Sequence, residues 1–187
     1  MENQQNTQNA APTLMSHALK HGIILGVISI ILVVVCYVVA FSFMVTFKFI
    51  AIVLLICLGY VIYAGINYRN EIGGYMGYGQ AFQHGILIML VSGVLGTLFN
   101  LLLYNIVDPE LGQKMTDAII ANTEEMMANF GAPQASIDQT IEGMRTEMPQ
   151  QFTPVGQLIG FGKAIIGYVI IALITSLFVR KNVPVEA

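Results

Sequence analysis

Four long hydrophobic runs dominate the pattern of apolar and polar positions along the chain. Each is close to the ~20 apolar residues that a helix needs to cross roughly 30 Å of hydrocarbon. In lipid the backbone must satisfy its own hydrogen bonds, so each run is predicted to be helical despite its many β-branched residues. The predicted spans are residues 22–43, 49–66, 82–107 and 155–179.

The composition changes this picture little. Hydrophobic residues make up 56% of the 187 residues and charged residues only 10%, with a mean hydropathy of +0.71. Soluble domains carry about 25% charged residues, so this chain lacks the polar surface to dissolve. We predict an all-α membrane protein, a four-helix bundle at residues 18–181, with a flexible polar tail at 1–17 and a short tail at 182–187.

The segment between the third and fourth spans, residues 109–150, is predicted to be a water-exposed amphipathic helical hairpin. Apolar residues recur there at intervals of three and four, and Gly131-Ala132-Pro133 separates two such stripes. The segment is rich in methionine. A Met-rich face can be an adaptable binding surface, the inner face of the hairpin, or a face that lies on lipid headgroups. The methionines are Met115, Met126, Met127, Met144 and Met148.

An even number of spans places both termini on one side of the membrane. The eight basic residues divide equally between the two sides, so the positive-inside rule gives no direction by count. However, Arg180-Lys181 directly follows the last span, and eight of the eleven acidic residues lie between Asp108 and Glu147. Both features favour cytoplasmic termini and a hairpin on the other side.

Polar residues at membrane depth form the main candidate site. Asn100, Tyr104 and Asp108 are spaced by four and share one face of the third span, and Lys163 lies in the first half of the fourth. An ionisable residue inside a membrane is costly and therefore indicates function. Antiparallel packing of the two spans would bring Lys163 towards Asp108 or Tyr104. Alternatively, the fourth span starts near Ala164 and Lys163 reaches water at the interface.

Two similar stretches raise the question of an internal duplication. Residues 18–23 (ALKHGI) and 81–86 (AFQHGI) open the first and third spans. A true duplication would give a parallel repeat of two-helix units, and the alternative is a chance likeness between apolar sequences. The alignment pairs His21 with His84. These are either interfacial histidines at helix starts or a symmetric pair that titrates near neutral pH.

The sequence contains no pattern typical of a catalytic, metal or nucleotide site. It has no HExxH pair and no phosphate-binding loop, and both cysteines lie inside apolar runs as packing residues. The eight Lys and Arg residues are scattered and give no basic face for a nucleic acid. We expect a lipid-embedded protein that is not an enzyme and binds no cofactor.

The connector between the second and third spans resembles a known motif. Residues 68–76 (YRNEIGGYM) and 79–82 (GQAF) are similar to the central motif of domain of unknown function 4199, a bacterial integral membrane family. Residues 98–109 and the Met-rich insert also resemble it, and the likeness covers roughly residues 18–178. It implies four transmembrane helices and no assigned activity. The matching positions are Arg69, Glu71, Gly74, Gly79, Gln80, Asn100 and Asp108.

Two functional hypotheses follow. The first is a structural or interaction component of a bacterial inner membrane, which binds a second copy or another membrane protein through the Met-rich hairpin. The second is a small transporter or channel with a polar path between the third and fourth spans. The sequence names no substrate or partner for either.

Overall fold

The computed structural model describes residues 12–39 and 41–183. The structure is 87% helical and has no strand in this part of the chain, which confirms the predicted all-α class. In chain order the helices are α1 (Leu14–Val39), a 3₁₀ helix (Phe41–Val45), α2 (Phe47–Glu71), α3 (Tyr78–Leu102), a π-helical turn (Leu103–Val107), α4 (Leu111–Asn129), α5 (Gln134–Gln151) and α6 (Pro154–Val179).

Four of these helices are long and apolar enough to cross a membrane, namely α1, α2, α3 with its π-helical turn, and α6. They correspond to the four predicted spans. α1, however, begins at Leu14 rather than at residue 22. The reason is a cap, since the Thr13 hydroxyl accepts a hydrogen bond from the Ser16 N–H at 3.2 Å.

Residues 14–17 of the predicted tail are therefore helical. Residues 1–11 of that tail, and residues 184–187 of the C-terminal one, lie outside the described part of the chain. The second span also differs from its prediction, because α2 continues past residue 66 to Glu71. Both extensions add polar residues to the helix ends.

The chain divides into two compact units, and each contains parts of all four spans. The described residues of unit 1 are 12–27, Leu55–Gly93 and 165–183. Unit 2 comprises Ile28–Leu54 and Val94–Ala164, and so includes α4 and α5.

Close helix packing characterises unit 1. A Cβ atom added at Gly22 on α1 would lie 2.6 Å from the Cβ of Val91 on α3. One added at Gly65 on α2 would lie 2.7 Å from Val179 on α6. Small residues let membrane helices approach to this degree. The buried core between these helices consists of Ala18, Leu25, Val61, Ala64, Ile88 and Met89.

A tight turn joins α2 to α3 in unit 1. Gly73 (φ 103°) and Gly74 (φ 86°) take the left-handed conformation. The Gly74 N–H donates to the Arg69 carbonyl at 2.8 Å, as in the glycine-terminated helix ends known as Schellman motifs. After this turn, Met76 and Lys181 exchange two backbone hydrogen bonds of 2.9 Å.

In unit 2, α4 and α5 form the predicted hairpin, which turns at Gly131 (φ 74°). Ile120, Ile137 and Ile141 form its buried core. The Asn122 side chain donates a 2.9 Å hydrogen bond to the Val45 carbonyl and so attaches α4 to the 3₁₀ helix. The hairpin thus has its own apolar core and a fixed base.

Candidate functional site

The predicted polar cluster of unit 2 is not assembled as one site. Asp108 accepts a 3.0 Å hydrogen bond from the Tyr37 hydroxyl of α1 and faces Lys114 of α4 at 3.4 Å. The ring of Tyr104 instead packs against that of Phe152, with the ring centroids 5.0 Å apart. Lys163 lies exposed on α6, and no described residue forms a hydrogen bond or ion pair with it. Lys163 therefore does not approach Asp108 or Tyr104 and is exposed, as in the alternative in which it reaches water, although the helix begins at Pro154 and not near Ala164.

Asn100, the fourth member, is half-buried on α3. Its backbone carbonyl accepts a 3.5 Å hydrogen bond from the side-chain amide of Gln157 on α6. The Gln157 Oε1 atom is buried and has no hydrogen-bond partner within the described residues. A buried polar atom without a partner is costly, so Gln157 is a candidate that the sequence argument did not single out.

Asp108 lies outside the spanning helices and is held in its charged form. Burial acts to raise the pKa of Asp108, but the hydrogen bonds from Tyr37 and Lys114 and the Lys114 charge outweigh it, so its pKa lies below the ordinary 3.8. Burial acts to lower the pKa of Lys114, but hydrogen bonds and charges from Asp108 and Glu110 raise it overall. Asp108 is therefore a carboxylate at neutral pH that links α1 to α4.

The connector residues Arg69, Gly74, Gly79 and Gln80 act mainly at helix ends. The Arg69 guanidinium donates a 2.8 Å hydrogen bond to the carbonyl of Val179, the last residue of α6. Carbonyls at a helix C-terminus lack intrahelical partners, so this contact caps α6. Gly74 forms the turn after α2, and Gly79 and Gln80 are exposed in the first turn of α3.

Polar and ring contacts connect three buried histidines in unit 1. His17, His21 and His84 are 4%, 7% and 1% exposed. His17 Nδ1 on α1 lies 2.9 Å from His84 Nε2 on α3. The ring of His84 stacks on that of Tyr68 with an interplanar angle of 3°, and His17 stacks on His21 with ring centroids 4.3 Å apart.

The second ring nitrogen of His17 faces polar groups at the end of α2. His17 Nε2 lies 3.4 Å from the Asn67 side-chain nitrogen and 3.8 Å from Glu71 Oε2. Asn67 also donates a 2.9 Å hydrogen bond to Glu71 Oε1. Because the Glu71 side chain is 39% exposed, polar contacts extend continuously from buried His84 through His17 to a surface carboxylate.

His21 and His84, the predicted symmetric pair, do not have equivalent surroundings. His21 Nδ1 lies 2.9 Å from the Tyr60 hydroxyl, whereas His84 contacts His17 and Tyr68. Sequence reasoning missed His17 and Asn67 as site residues. A signal was present, since His17 and His21, like Asn67 and Glu71, are spaced by four and share helix faces.

The histidine cluster is not arranged as a metal centre. No group of three or more His, Cys, Asp or Glu side chains among the described residues could hold a metal ion. Its chemistry is that of exchangeable protons on hydrogen-bonded imidazoles, a carboxylate and a phenol.

A family model described as "Protein of unknown function (DUF4199)" matches residues 20–181. The match includes the connector, the hairpin, His21 and His84, and it begins three positions after His17. No curated protein and no solved structure matches the chain. With nearly the whole length matched and four helices able to span a membrane, this chain is an integral membrane protein that belongs to the DUF4199 family.

Proposed function

We propose that the protein is an interaction component of a bacterial inner membrane, and that it presents the tip of the α4–α5 hairpin to a partner protein. The tip comprises the end of α4 and the turn at Gly131. The observation that carries the proposal is the exposure of Phe130, whose side chain is 85% accessible.

The hairpin does not need this apolar tip for its own fold. Its core is formed by isoleucines on the facing sides of α4 and α5, and Met127 and Met144 pack against that core. Met115 is buried in a second cluster with Leu103 and Leu111. Most of the methionine-rich face is therefore internal, and the large hydrophobic side chains exposed among residues 111–151 are Phe130 and the 49% exposed Met126.

The charge of the hairpin indicates which kind of partner could bind its tip: lipid, a second copy of the chain, or another protein. Residues 111–151 contain six acidic and two basic side chains. Helices that lie on lipid are typically rich in Lys and Arg, and two copies of an acidic hairpin would repel each other. A protein partner with a basic surface around an apolar pocket fits the tip best.

The proposal includes a membrane orientation with cytoplasmic termini. It is supported by Arg180 and Lys181, which directly follow α6, and by the acidic hairpin. The partner surface would then lie outside the cytoplasm. A cysteine introduced at exposed Gln139 and treated in intact cells with a membrane-impermeant thiol reagent tests this orientation.

Site-specific photocrosslinking tests the partner. A photoreactive phenylalanine analogue at Phe130 should give one major protein adduct in living cells, and the same analogue at the exposed Gln139 of α5 should not. The adduct should decrease when Met126 is changed to Glu, because the added carboxylate places charge in the apolar contact. Equal labelling from both positions, or labelling of lipid alone, would argue against a tip-specific partner.

Gln157 favours a second candidate, a small transporter or channel. The Gln157 side chain, whose amide oxygen is orphaned, reaches the Asn100 carbonyl. Asn100 is close in sequence to the π-helical turn, a feature often found at functional sites, and such a pair would suit a passing polar solute. Ion or solute flux in proteoliposomes tests it. The matched variants Gln157→Leu and Gln113→Leu should differ, with flux lost only in the first.

A further inference from the structure

The histidine cluster of unit 1 carries an inference that is independent of the hairpin. His17 is the central residue, because each of its two ring nitrogens meets a different polar group. Nδ1 lies at His84 Nε2, 2.9 Å away, and Nε2 lies between the Asn67 amide and the Glu71 carboxylate. We propose that His84, His17 and Glu71 form a proton-binding relay, in which buried His84 exchanges protons with water through His17 and the exposed Glu71.

The hydrogen bonds fix one tautomer of the neutral cluster. An ionised carboxylate only accepts, so the Asn67 atom that contacts Glu71 at 2.9 Å is its NH₂ group. The same NH₂ group faces His17 Nε2, which must then be an acceptor. The proton of neutral His17 is therefore on Nδ1, and it is donated to His84 Nε2.

A proton taken up by the cluster has a defined position. It binds the Nε2 lone pair of His17, so this nitrogen stops accepting from the Asn67 amide and instead donates to Glu71 Oε2, which lies 3.8 Å away in the structure. The imidazolium and the carboxylate form a charge-assisted pair. Since Glu71 is partly exposed, its carboxyl group can collect this proton from water.

Transfer onward conserves protons. The His17 imidazolium passes its Nδ1 proton to His84 Nε2, which leaves neutral His17 with its proton on Nε2 and makes His84 the imidazolium. The reverse step returns the proton to His17 and then to Glu71. No oxidant or further reactant is required.

The groups around the pair limit how many protons it holds. Lys20 and His21 on α1 and Glu71 on α2 interact electrostatically with His17, and His17 and His21 do so with His84. Among the described residues, the tyrosines whose rings contact these histidines are Tyr60, Tyr63 and Tyr68 of α2. On α6, the buried polar residues Thr175 and Ser176 are uncharged. Because His17 and His84 lie 2.9 Å apart, the two imidazoles should titrate as a coupled pair.

Nuclear magnetic resonance of the full chain in lipid nanodiscs, with ¹⁵N-labelled histidine, tests the relay. At neutral pH both His17 and His84 should carry their proton on Nδ1, and a through-hydrogen-bond coupling should join His17 Nδ1 to His84 Nε2. On acidification, His17 Nε2 should become protonated and the His84 signals should change at the same pH. This measurement needs no variant.

Glu71→Gln provides the second arm, because glutamine keeps an oxygen for Asn67 but cannot relay a proton. Exchange of the His17 ring proton with water should slow by about 100-fold, the order of effect of a positioned acid–base group. The control Glu125→Gln, at an exposed carboxylate on α4, should leave the rate unchanged.

Three outcomes would overturn the relay: a His17 proton on Nε2 at neutral pH, independent titration of His17 and His84, or equal exchange in Glu71→Gln and wild type.

Discussion

His17 and His84, which are 67 residues apart in the sequence, join α1 to α3 through a buried imidazole pair with a nitrogen–nitrogen distance of 2.9 Å. Both rings also stack on an aromatic neighbour, His17 on His21 and His84 on Tyr68. The pair therefore combines a directional hydrogen bond with tight packing, and the two contributions can be separated by substitution.

His84→Phe should destabilise the protein by about 1–3 kcal/mol, the cost of leaving a buried donor unpaired. Phenylalanine retains a ring against Tyr68 but cannot accept a hydrogen bond from the His17 Nδ1–H group. The double variant His17→Phe/His84→Phe should be less destabilised than the sum of the single variants, since it removes both polar partners. Unfolding in detergent with increasing denaturant measures this. Additive effects would show that the two imidazoles do not depend on each other.

Gly65→Ala tests the close approach of α2 and α6. The new methyl group would lie 2.7 Å from Val179, so overpacking should cost about 1–3 kcal/mol. Gly59→Ala, on the same helix, is the matched control because its added Cβ meets nothing within 4 Å. It should be neutral or stabilising, since alanine favours a helix more than glycine does. Equal effects of the two variants would contradict the packing of Gly65 against Val179.

The lowered pKa of Asp108 predicts that the protein loses stability in acid. Its folded-state pKa lies below 3.8 because hydrogen bonds and charge from Tyr37 and Lys114 outweigh the effect of burial. A carboxyl whose pKa is depressed on folding adds stability that is present above its ordinary pKa and is lost as the pH falls through the folded value. Unfolding midpoints followed from about pH 7 to pH 3 should therefore fall more steeply in wild type than in Asp108→Asn. Parallel curves would show that Asp108 gains nothing from its partners.

The spans were predictable because the bilayer imposes one requirement on every residue within it. Any run of about 20 apolar residues has to be a helix, so the four spans follow from the sequence whatever their tertiary contacts. Their ends were harder to predict. α1 begins before its apolar run because Thr13 caps it, and α2 continues to Glu71 as a polar helix beyond the apolar run.

The candidate sites were only partly predictable, because they depend on which helix faces meet. Asp108 was identified from its spacing, but its partner Tyr37 lies in an apolar run that gives no sign of a polar contact. His84 was identified from a sequence likeness, yet its partner is His17, which lies in the stretch predicted as a tail. The sequence allows Lys163 either to approach Asp108 or to reach water, and in the structure it is exposed on α6. Periodicity indicates which residues share a face and not which faces pack together.

Arg69→Met should loosen the C-terminal end of α6. Methionine retains a long apolar stem but cannot donate to the Val179 carbonyl, which Arg69 reaches at 2.8 Å. Loss of a hydrogen bond to a charged group costs about 1.5–3 kcal/mol. This cost should fall on the last turn of α6, where the Arg180 N–H donates to the Ser176 carbonyl. Hydrogen exchange read by mass spectrometry should show faster exchange in residues 176–181, with little change in α4 and α5.

Arg145→Met is the matched control, because no described residue forms a hydrogen bond or ion pair with Arg145. If both variants exchange like wild type at the end of α6, then Arg69 does not cap that helix. The connector motif would then position only α2 and α3, and not α6.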